Sequence, residues 1–254
     1  MIWRYLCDGF HPGAYNMEFD ESLVRQFQQN VPVPVLRIYG WKPYAVSLGF
    51  NQLESDFDLG KLAADGIDIV RRPTGGKAIL HANELTYSVV TPLEAKGPRE
   101  MYRFINEGLL RSLEILGIKA ELTDKDDAFA SLYKDPASVP CFASSAKSEI
   151  KYQGKKLVGS AQRRYGNVIL QHGSLMLGPE HLLISKFLAP HIMDYRQTIE
   201  EQLLLHTIDI KSILGKTVGF NEAALAVKQG FEEAMDITFE ITGEYVPAGE
   251  HALS

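Results

Sequence analysis

A pair of arginines, a proline and a pair of glycines interrupt an apolar strand pattern at residues 71–76. Arg71 and Arg72 offer fork-shaped cationic donors. Gly75 and Gly76 lack side chains, so backbone amides there can approach a ligand closely. We therefore expect this loop to hold a ligand, with a bound anion as the first hypothesis.

Cys141 comes at the end of a polar stretch over residues 123–140 and is followed by small polar residues. A free cysteine is most often a small buried hydrophobe, but an exposed thiol fits these surroundings better than a core residue would. Because the reactive form is the thiolate, a cation must lie nearby at neutral pH, and Lys156 across a predicted hairpin is a candidate. Cys7 lies in an alternating strand pattern and is expected to be structural.

Two adjacent lysines, Lys155 and Lys156, follow a predicted turn and precede the small residues 159–161. Lysines beside a turn are usually solvated, but the small residues would let a ligand chain lie against the strand. Side chains alternate along a strand, so only one of the two lysines is expected to face the same side as Val158. Periodicity leaves open which one.

The seven histidines show neither HxH nor HExxH spacing, so no metal site is predicted. His81 and His172 each end a strand near a glycine-rich segment, where a structural and a functional role are both open. A nucleotide-binding loop is rejected because its pattern requires Gly at position 71 and Ser or Thr at position 78, where Arg71 and Ala78 stand. There is no G-x-S-x-G motif, so a serine nucleophile is not indicated.

The composition excludes several classes of protein. The 254 residues are 45% hydrophobic and 23% charged, which is typical of a globular chain with a sizeable core. A formal net charge of −6 argues against nucleic acid as the main partner, and a local basic pocket suits an anionic ligand or an acidic partner surface. No apolar run approaches the roughly 18–20 residues of a membrane span, and no signal peptide is recognised. Two distant cysteines indicate no disulfide framework, so we expect a cytoplasmic protein.

The elements that must position these residues indicate a mixed α/β protein, of the α+β kind, with hairpins early and helices late. The clearest helix covers residues 98–116, where apolar residues recur at spacings of four and three. Another helix follows Gly13. Strands are predicted over residues 2–7, 33–39, 44–50, 67–72, 77–81, 84–91, 118–122, 148–152, 156–161, 167–177 and 237–241.

Turns and caps complete this prediction. One hairpin is expected to join residues 33–39 to residues 44–50, and a second to turn at Gln153-Gly154. Asp56 and Asn221 are predicted to cap two further helices at their N-termini.

Five motifs together resemble the biotin/lipoate protein ligase superfamily, and most closely its cysteine-dependent octanoyltransferases of the LipM type. They are Arg71-Arg72-Pro73-Thr74-Gly75-Gly76, His81 with Glu84-Leu85-Thr86-Tyr87-Ser88-Val89, Cys141-Phe142, Gly154-Lys155-Lys156-Leu157-Val158-Gly159-Ser160-Ala161-Gln162, and Ile169-Leu170-Gln171-His172-Gly173-Ser174. The resemblance covers roughly residues 1–240, and the combination of motifs is specific.

The resemblance implies one catalytic domain over residues 1–245, with a mixed, largely antiparallel sheet flanked by helices, and a tail over residues 246–254. It implies transfer of an octanoyl group from octanoyl-acyl carrier protein to a lysine of a lipoyl-domain protein, such as the glycine-cleavage H protein, without ATP or another cofactor. Cys141 would carry the acyl group as a thioester. Lys156 would lower the pKa of that thiol and orient the acyl carbonyl.

Further site residues follow from the same resemblance. The residues expected to bind substrate are Arg71, Arg72, Thr74, Gly75, Gly76, His81, Gly159, Ser160, Ala161 and His172. A monomer is the simpler expectation for an enzyme that must admit two protein partners in turn. Ala82 and Lys77 depart from the family's common pattern, which has Asp after the histidine and Gly or Arg after the paired glycines, so the detailed structure of this loop is open.

Three other functions compete with this one. An ATP-dependent lipoate–protein ligase shares the fold and both loop motifs, but adenylation gives Cys141 no role, and little chain follows Leu177 for an accessory domain. An amidotransferase between lipoyl domains also uses a cysteine, but its glycine loop differs. A non-catalytic module that binds an acyl chain or biotinyl group is disfavoured because Cys141 and Lys156 are both present.

Overall fold

The computed structural model describes residues 1–29, 33–93, 97–123 and 149–241. The strands are β1 (Ile2–His11), β2 (Val35–Trp41), β3 (Ala45–Leu48), β4 (Asp68–Arg71), β5 (Ile79–His81), β6 (Glu84–Pro92), β7 (Glu121–Thr123), β8 (Glu149–Tyr152), β9 (Lys155–Tyr165), β10 (Val168–Met176) and β11 (Thr238–Ile241). The α-helices are α1 (Gly13–Gln29), α2 (Leu59–Ala64), α3 (Pro98–Ile115), α4 (Arg196–His206), α5 (Ile210–Leu214) and α6 (Phe220–Met235), and 3₁₀ turns cover Glu54–Asp56, Pro179–Phe187 and Pro190–Tyr195.

The strands form two sheets. The large sheet has eight strands in the order β11-β1-β2-β6-β10-β9-β8-β7, and the small sheet has three in the order β4-β3-β5. In the large sheet β1 pairs in parallel with β2 and β11, whereas the pairs from β2 through β7 are antiparallel. The expected mixed, largely antiparallel sheet flanked by helices is thus confirmed.

The two faces of the large sheet are covered differently. On one face α3 and α6 pack together over the largest core, which contains Ile38, Tyr87 and Ile105. The other face carries α1, whose apolar side contributes Phe27 to a smaller core. The small sheet, α2 and α4 share a separate core that includes Leu62. Because the three cores are separate, each layer is held by its own apolar interface. Fully burying one such side chain contributes about 1.5–3 kcal/mol to stability.

The first predicted hairpin is wrong, and the second is confirmed. Strands β2 and β3 lie in different sheets, because both edges of β2 are already paired with β1 and β6. Strands β8 and β9 do form an antiparallel hairpin. Its turn residues, Gln153 and Gly154, have φ values of 48° and 78°, as a two-residue type I′ turn requires.

Two predicted helix caps are also wrong. The side chain that caps α2 is Asp58, which accepts a hydrogen bond from the Lys61 amide, whereas Asp56 lies in the preceding 3₁₀ turn. Helix α6 begins after Gly219, which has no side chain to bond, so Asn221 lies inside the helix. Most of the polar stretch predicted over residues 123–140, together with Cys141, falls outside the described residues.

Candidate active site

A cavity of about 260 Å³ lies between the two sheets. Strands β2, β6, β10 and β9 supply its floor, and the small sheet and the glycine loop supply its roof. Met17 of α1 and Tyr102 of α3 also line it. Lys156 lines this cavity, and so does every residue expected to bind substrate except Arg71 and Thr74. The structure therefore brings together segments from distant parts of the chain.

One row of residues crosses the floor. Tyr39 of β2 is opposite Thr86 of β6, Thr86 is opposite Ser174 of β10, and Ser174 is opposite Gly159 of β9. Directly paired residues point to the same face of a sheet. The row therefore links an aromatic end of the cavity at β2 to the strand that carries Lys156.

Arg72 organises the glycine loop. Its guanidinium is buried and donates to the Ser47 carbonyl at 2.9 Å, the Gly75 carbonyl at 2.9 Å and the Lys77 carbonyl at 2.7 Å. A guanidinium has five N–H donors in a fixed plane, so these contacts hold three points of backbone at once. Arg72 lines the cavity while fixing the shape of its roof.

Arg71 has different surroundings from its neighbour. Its side chain donates to the Gly49 carbonyl at 3.0 Å and the Gln52 carbonyl at 2.6 Å, and lies 3.6 Å from the Glu54 carboxylate. It is not among the residues that line the cavity. The sequence does not distinguish the two adjacent arginines, but Arg71 holds the segment that follows β3 whereas Arg72 holds the glycine loop.

A hydrogen-bonded chain joins Thr74, His172 and Asp20 beneath the loop. The Thr74 hydroxyl lies 2.7 Å from His172 Nε2, and His172 Nδ1 lies 3.3 Å from an Asp20 carboxylate oxygen. Because an ionised carboxylate only accepts, Nδ1 carries the proton and Nε2 accepts from Thr74. Thr74 is thus expected to position His172 and the loop rather than to contact a ligand in the cavity.

The Asp20 carboxylate is fully buried and well satisfied. It accepts hydrogen bonds from Arg37 at 2.9 Å, Tyr39 at 3.0 Å and Ser88 at 2.8 Å. Burial by itself would raise the pKa of Asp20, but the hydrogen bond from His172 and the charge of Arg37 bring the pKa below its ordinary value. Burial lowers the pKa of His172 in spite of Asp20, so the imidazole is held neutral near pH 7.

A second histidine, His81, is fixed between the sheets. Its Nδ1 lies 2.7 Å from Glu84 Oε1 and its Nε2 lies 2.7 Å from the Ser47 hydroxyl. The Trp41 ring stacks on the imidazole with centroids 4.0 Å apart, and Trp41 Nε1 donates to the Thr86 hydroxyl at 2.7 Å. His81 therefore presents one fixed orientation to the cavity.

Lys156 is the buried member of the lysine pair. Its ammonium lies 2.6 Å from Glu149 Oε1, and both side chains are buried. Lys155 is turned outward and donates to the Leu204 carbonyl at 2.9 Å. Lys156, and not Lys155, therefore lines the cavity, and it does so on the side of Gly159 rather than of Val158, which lies in the largest core.

A β-bulge explains how Lys156 reaches the cavity. Ile150 pairs with Val158, but its neighbour Lys151 pairs with Lys156, so Leu157 is the extra residue that has no partner in β8. An extra residue in one strand offsets the alternation of faces. In a regular strand, residues 156 and 159 would point to opposite faces. The bulge brings both to the same face, so Lys156 and Gly159 line the same cavity.

Hydroxyl and amide groups form a third network near β9. Ser160 Oγ lies 2.7 Å from the Tyr87 hydroxyl, and Gln171 donates to Tyr87 at 3.0 Å. Gln162 in turn donates to Gln171 at 3.2 Å. Burial raises the pKa of Tyr87 far above its ordinary value, so its hydroxyl stays protonated and the network is uncharged.

The remaining sequence predictions concern single residues. Cys7 is a buried free cysteine, as expected, and burial raises the pKa of its thiol. Ala82 is buried in the core of the small sheet, and the Lys77 carbonyl accepts from Arg72. Cys141 lies outside the described residues.

Within the described ranges, no group of three or more His, Cys, Asp and Glu side chains is arranged to hold a metal ion. Among the described helices, none combines the length and the apolar character that a membrane span requires.

Sequence reasoning missed several polar residues of the site. Asn16 and Asp20 lie on the buried side of α1 together with the apolar residues Met17 and Leu23. Polar residues at helical spacing within an apolar stripe are a recognisable signal of a buried network. Glu149 could have been found by pairing the predicted hairpin and asking which carboxylate stands near Lys156.

A family model described as the lipoyl protein ligase A/B catalytic domain matches residues 12–232. An octanoyltransferase LipM of Geobacillus kaustophilus is 35% identical over 94% of this chain and 88% of its own. An octanoyltransferase LipM of Kyrpidia tusciae is 38% identical over 94% of this chain and 89% of its own.

Among solved structures, a candidate lipoate protein ligase from T. acidophilum with bound lipoic acid is 26% identical. It superposes with a TM-score of 0.72 over 95% of this chain and 89% of its own.

Proposed function

We infer that the chain, which belongs to the lipoyl protein ligase A/B catalytic domain family, is an octanoyltransferase of lipoate biosynthesis. The family resemblance drawn from the five sequence motifs is therefore confirmed. The inference to octanoyl transfer rests on the names of the curated relatives and on their coverage of nearly the whole chain.

We propose that the donor is octanoyl-acyl carrier protein and that Cys141 takes the acyl group. The Cys141 thiol loses its proton, the thiolate attacks the carbonyl carbon of the donor thioester, and the bond from that carbon to the carrier's sulfur breaks. The carrier leaves as a thiolate and takes up the proton that Cys141 lost. The ε-amine of an acceptor lysine then attacks the new thioester, forms an amide and returns the Cys141 thiol. Thioester exchange is nearly isoenergetic and the amide is more stable, so no nucleotide is needed.

The observation that carries this proposal is the position of Lys156. A buried ammonium lies at one end of a cavity whose other end is aromatic and apolar. Such a cavity suits an acyl chain with a polar carbonyl at one end. The role of Cys141 itself rests on the sequence resemblance.

The acceptor is proposed to be a lysine of a lipoyl-domain protein such as the glycine-cleavage H protein. We propose a monomer, which leaves the cavity open to donor and acceptor in turn. We place the reaction in the cytoplasm, where a free cysteine such as Cys7 stays reduced.

The covalent intermediate can be measured directly. Mixing the protein with octanoyl-acyl carrier protein in the absence of ATP is expected to add the mass of one octanoyl group, which hydroxylamine removes. Cys141→Ser is expected to abolish this labelling, whereas Cys7→Ser, a matched change at the other cysteine, is expected to keep it. Addition of H protein is expected to discharge the labelled enzyme.

Two results would contradict the proposal. Equal, hydroxylamine-sensitive labelling of Cys141→Ser would remove Cys141 as the carrier of the acyl group. Transfer that requires ATP and lipoate and releases pyrophosphate would instead identify an ATP-dependent ligase.

A further inference from the structure

The order of strands in the large sheet defines two ends of the cavity. Its floor crosses four neighbouring strands from β2 to β9. Neighbouring strands lie about 4.8 Å apart, so three spacings separate the outer two backbones by roughly 14 Å. Lys156 belongs to the β9 end, and Met17, Tyr39 and Trp41 form an apolar cluster at the β2 end.

This distance matches the reach of a medium-length acyl chain. An extended eight-carbon chain, with zigzag bonds of about 1.5 Å, spans roughly 9 Å. Lys156 and the cluster at β2 line the cavity, so their side chains shorten the free length between the two backbones. With its carbonyl beside Lys156, such a chain therefore ends against the cluster at β2.

The three residues at the β2 end are held in different ways. The Tyr39 hydroxyl donates to Asp20 at 3.0 Å, and Trp41 donates to Thr86 at 2.7 Å while stacking on His81. Met17 is held by packing against Tyr39 and Trp41, and its side chain is nearly buried, with 7% of the residue exposed. Methionine adapts its shape readily, so Met17 can be shortened without breaking a hydrogen bond of the site.

We propose that Met17 sets the length of the acyl chain that the cavity accepts. The proposal rests on the proposed function and adds the specificity of the same site. The Met17 side chain meets the terminal carbons of an octanoyl group, so its size limits how much longer a chain can be. Substrates of this class are straight-chain acyl groups bound as thioesters, with eight carbons as the preferred length.

The role of Met17 can be tested by comparing the rates at which acyl chains of different length are transferred. The protein is supplied with hexanoyl-, octanoyl-, decanoyl- or dodecanoyl-acyl carrier protein, and transfer to a lipoyl domain is followed by intact mass. The wild-type protein is expected to transfer octanoyl at least about fivefold faster than decanoyl. In Met17→Ala the decanoyl-to-octanoyl ratio is expected to rise about tenfold, the effect of accommodating roughly two additional methylene groups.

The opposite change provides a second test. Met17→Phe fills more of the β2 end and is expected to raise the hexanoyl-to-octanoyl ratio by about fivefold or more. If Met17→Ala does not fold, the selectivity of Met17→Phe still tests the role of Met17. Met235→Ala is the matched control, because Met235 is also on a helix and is 8% exposed, but lies in the core under α3 and α6. This control is expected to keep the wild-type selectivity.

The failures of the two proposals are distinguishable. Absence of octanoyl transfer by the wild-type protein would overturn the proposed function. Octanoyl transfer with equal use of decanoyl by the wild-type protein, or with unchanged selectivity in folded Met17 variants, would overturn only the role of Met17.

Discussion

The ion pair between Lys156 and Glu149 is the most demanding contact of the site. Removing two charges from water costs several kcal/mol for each ion, and their attraction often does not fully offset that cost. A hydrophobic pair of similar volume would therefore hold the strand as well. The pair is better understood as a device that keeps an ammonium at a fixed place in the cavity.

Variants that change the charge at position 156 test whether the ion pair serves acyl transfer rather than the stability of the fold. Lys156→Met removes the ammonium that lies 2.6 Å from the buried Glu149 carboxylate, so we expect a loss of about 3–5 kcal/mol in the free energy of unfolding. The rate of acyl transfer is expected to fall roughly 10²–10⁴-fold, as it does on loss of a residue that assists proton transfer or stabilises a developing charge. Adding Glu149→Gln is expected to restore much of the stability but not the activity.

Urea unfolding and octanoyl transfer measure the two effects independently. The rate at which Cys141 reacts with an alkylating reagent at pH 7 reports whether Lys156 favours the thiolate. Full activity in the folded double variant, or an unchanged alkylation rate in Lys156→Met, would contradict the proposed role of Lys156.

Many of the residues that the sequence indicates do line the cavity, but the sequence does not give the different contacts that each of them makes. Arg71 and Arg72 are identical in type and adjacent, yet only Arg72 lines the cavity. The resemblance places Thr74 among the substrate-binding residues, and in the structure its hydroxyl donates to His172. These differences depend on which way each side chain leaves the backbone, and no spacing pattern encodes that.

At the scale of elements, the glycine loop depends on a close approach between two backbones. A Cβ atom at Gly49 would lie 1.8 Å from the Gly76 carbonyl oxygen. Real carbon and oxygen atoms do not approach so closely, so any side chain at position 49 must displace the loop that forms the roof of the cavity. The end of β3 and the glycine loop thus fit together only while position 49 is glycine.

Gly49→Ala is therefore expected to impair activity more than folding. We expect acyl transfer to fall about tenfold to hundredfold, because a displacement near 1 Å can cost about 10²-fold. Overpacking is expected to reduce the free energy of unfolding by about 1–3 kcal/mol. Steady-state transfer assays and thermal unfolding measure both quantities.

Gly60→Ala serves as the control for this prediction. Gly60 lies in α2, and the nearest atom to an added Cβ would be an Asp58 oxygen at an ordinary 3.4 Å. Alanine favours a helix over glycine by about 0.5–1 kcal/mol, so this variant is expected to be neutral or more stable. Wild-type transfer rates in Gly49→Ala would show that the loop position does not matter.

Elements formed by local contacts were predicted well, and those that depend on distant partners were not. Helix α3 follows its apolar spacing closely, and the β8–β9 hairpin follows its Gln153-Gly154 turn. Strands β2 and β3 are separated by a similar turn signal at Pro43, yet they enter different sheets. The edges of β2 are taken by β1 and β6, and competition for an edge is invisible in a local pattern.

At the scale of the whole molecule, buried histidines make stability depend on pH. Burial lowers the pKa of both His172 and His181 in the folded protein. An unfolded histidine has a pKa of about 6.5, so the unfolded chain binds more protons than the folded protein below that pH. Stability is therefore expected to decrease as the pH falls from about 7 toward 5. Asp20, whose folded pKa is lowered, is expected to add a further loss at more acid pH as its carboxylate protonates.

Urea unfolding at several pH values checks this expectation. His181→Gln is expected to flatten the decrease between pH 7 and pH 5, because it removes one of the two imidazoles whose pKa is lowered by burial. His191→Gln, a change at an exposed histidine, is expected to leave the slope as it is. Stability that rises as the pH falls through this range would contradict the assignment.

The family could be predicted from five motifs that lie far apart in the chain, and the resemblance to the family in turn implied the type of sheet. The cavity was predictable only in part. The loop at residues 71–76 and the strand at residues 156–161 were expected to face each other, and both do line the cavity. The apolar end at Met17 was not expected, because it arises from how α1 crosses the sheet rather than from any motif.

The order of strands in the large sheet also has a consequence during protein synthesis. The four strands of the cavity floor are complete once Met176 has been made. Strand β1 is made first, yet one of its two neighbours is β11, which follows α6. At roughly 5–20 residues per second, the ribosome needs several seconds to deliver that segment. Throughout this interval one edge of β1 stays unpaired, which leaves that edge open to pairing with a neighbouring chain.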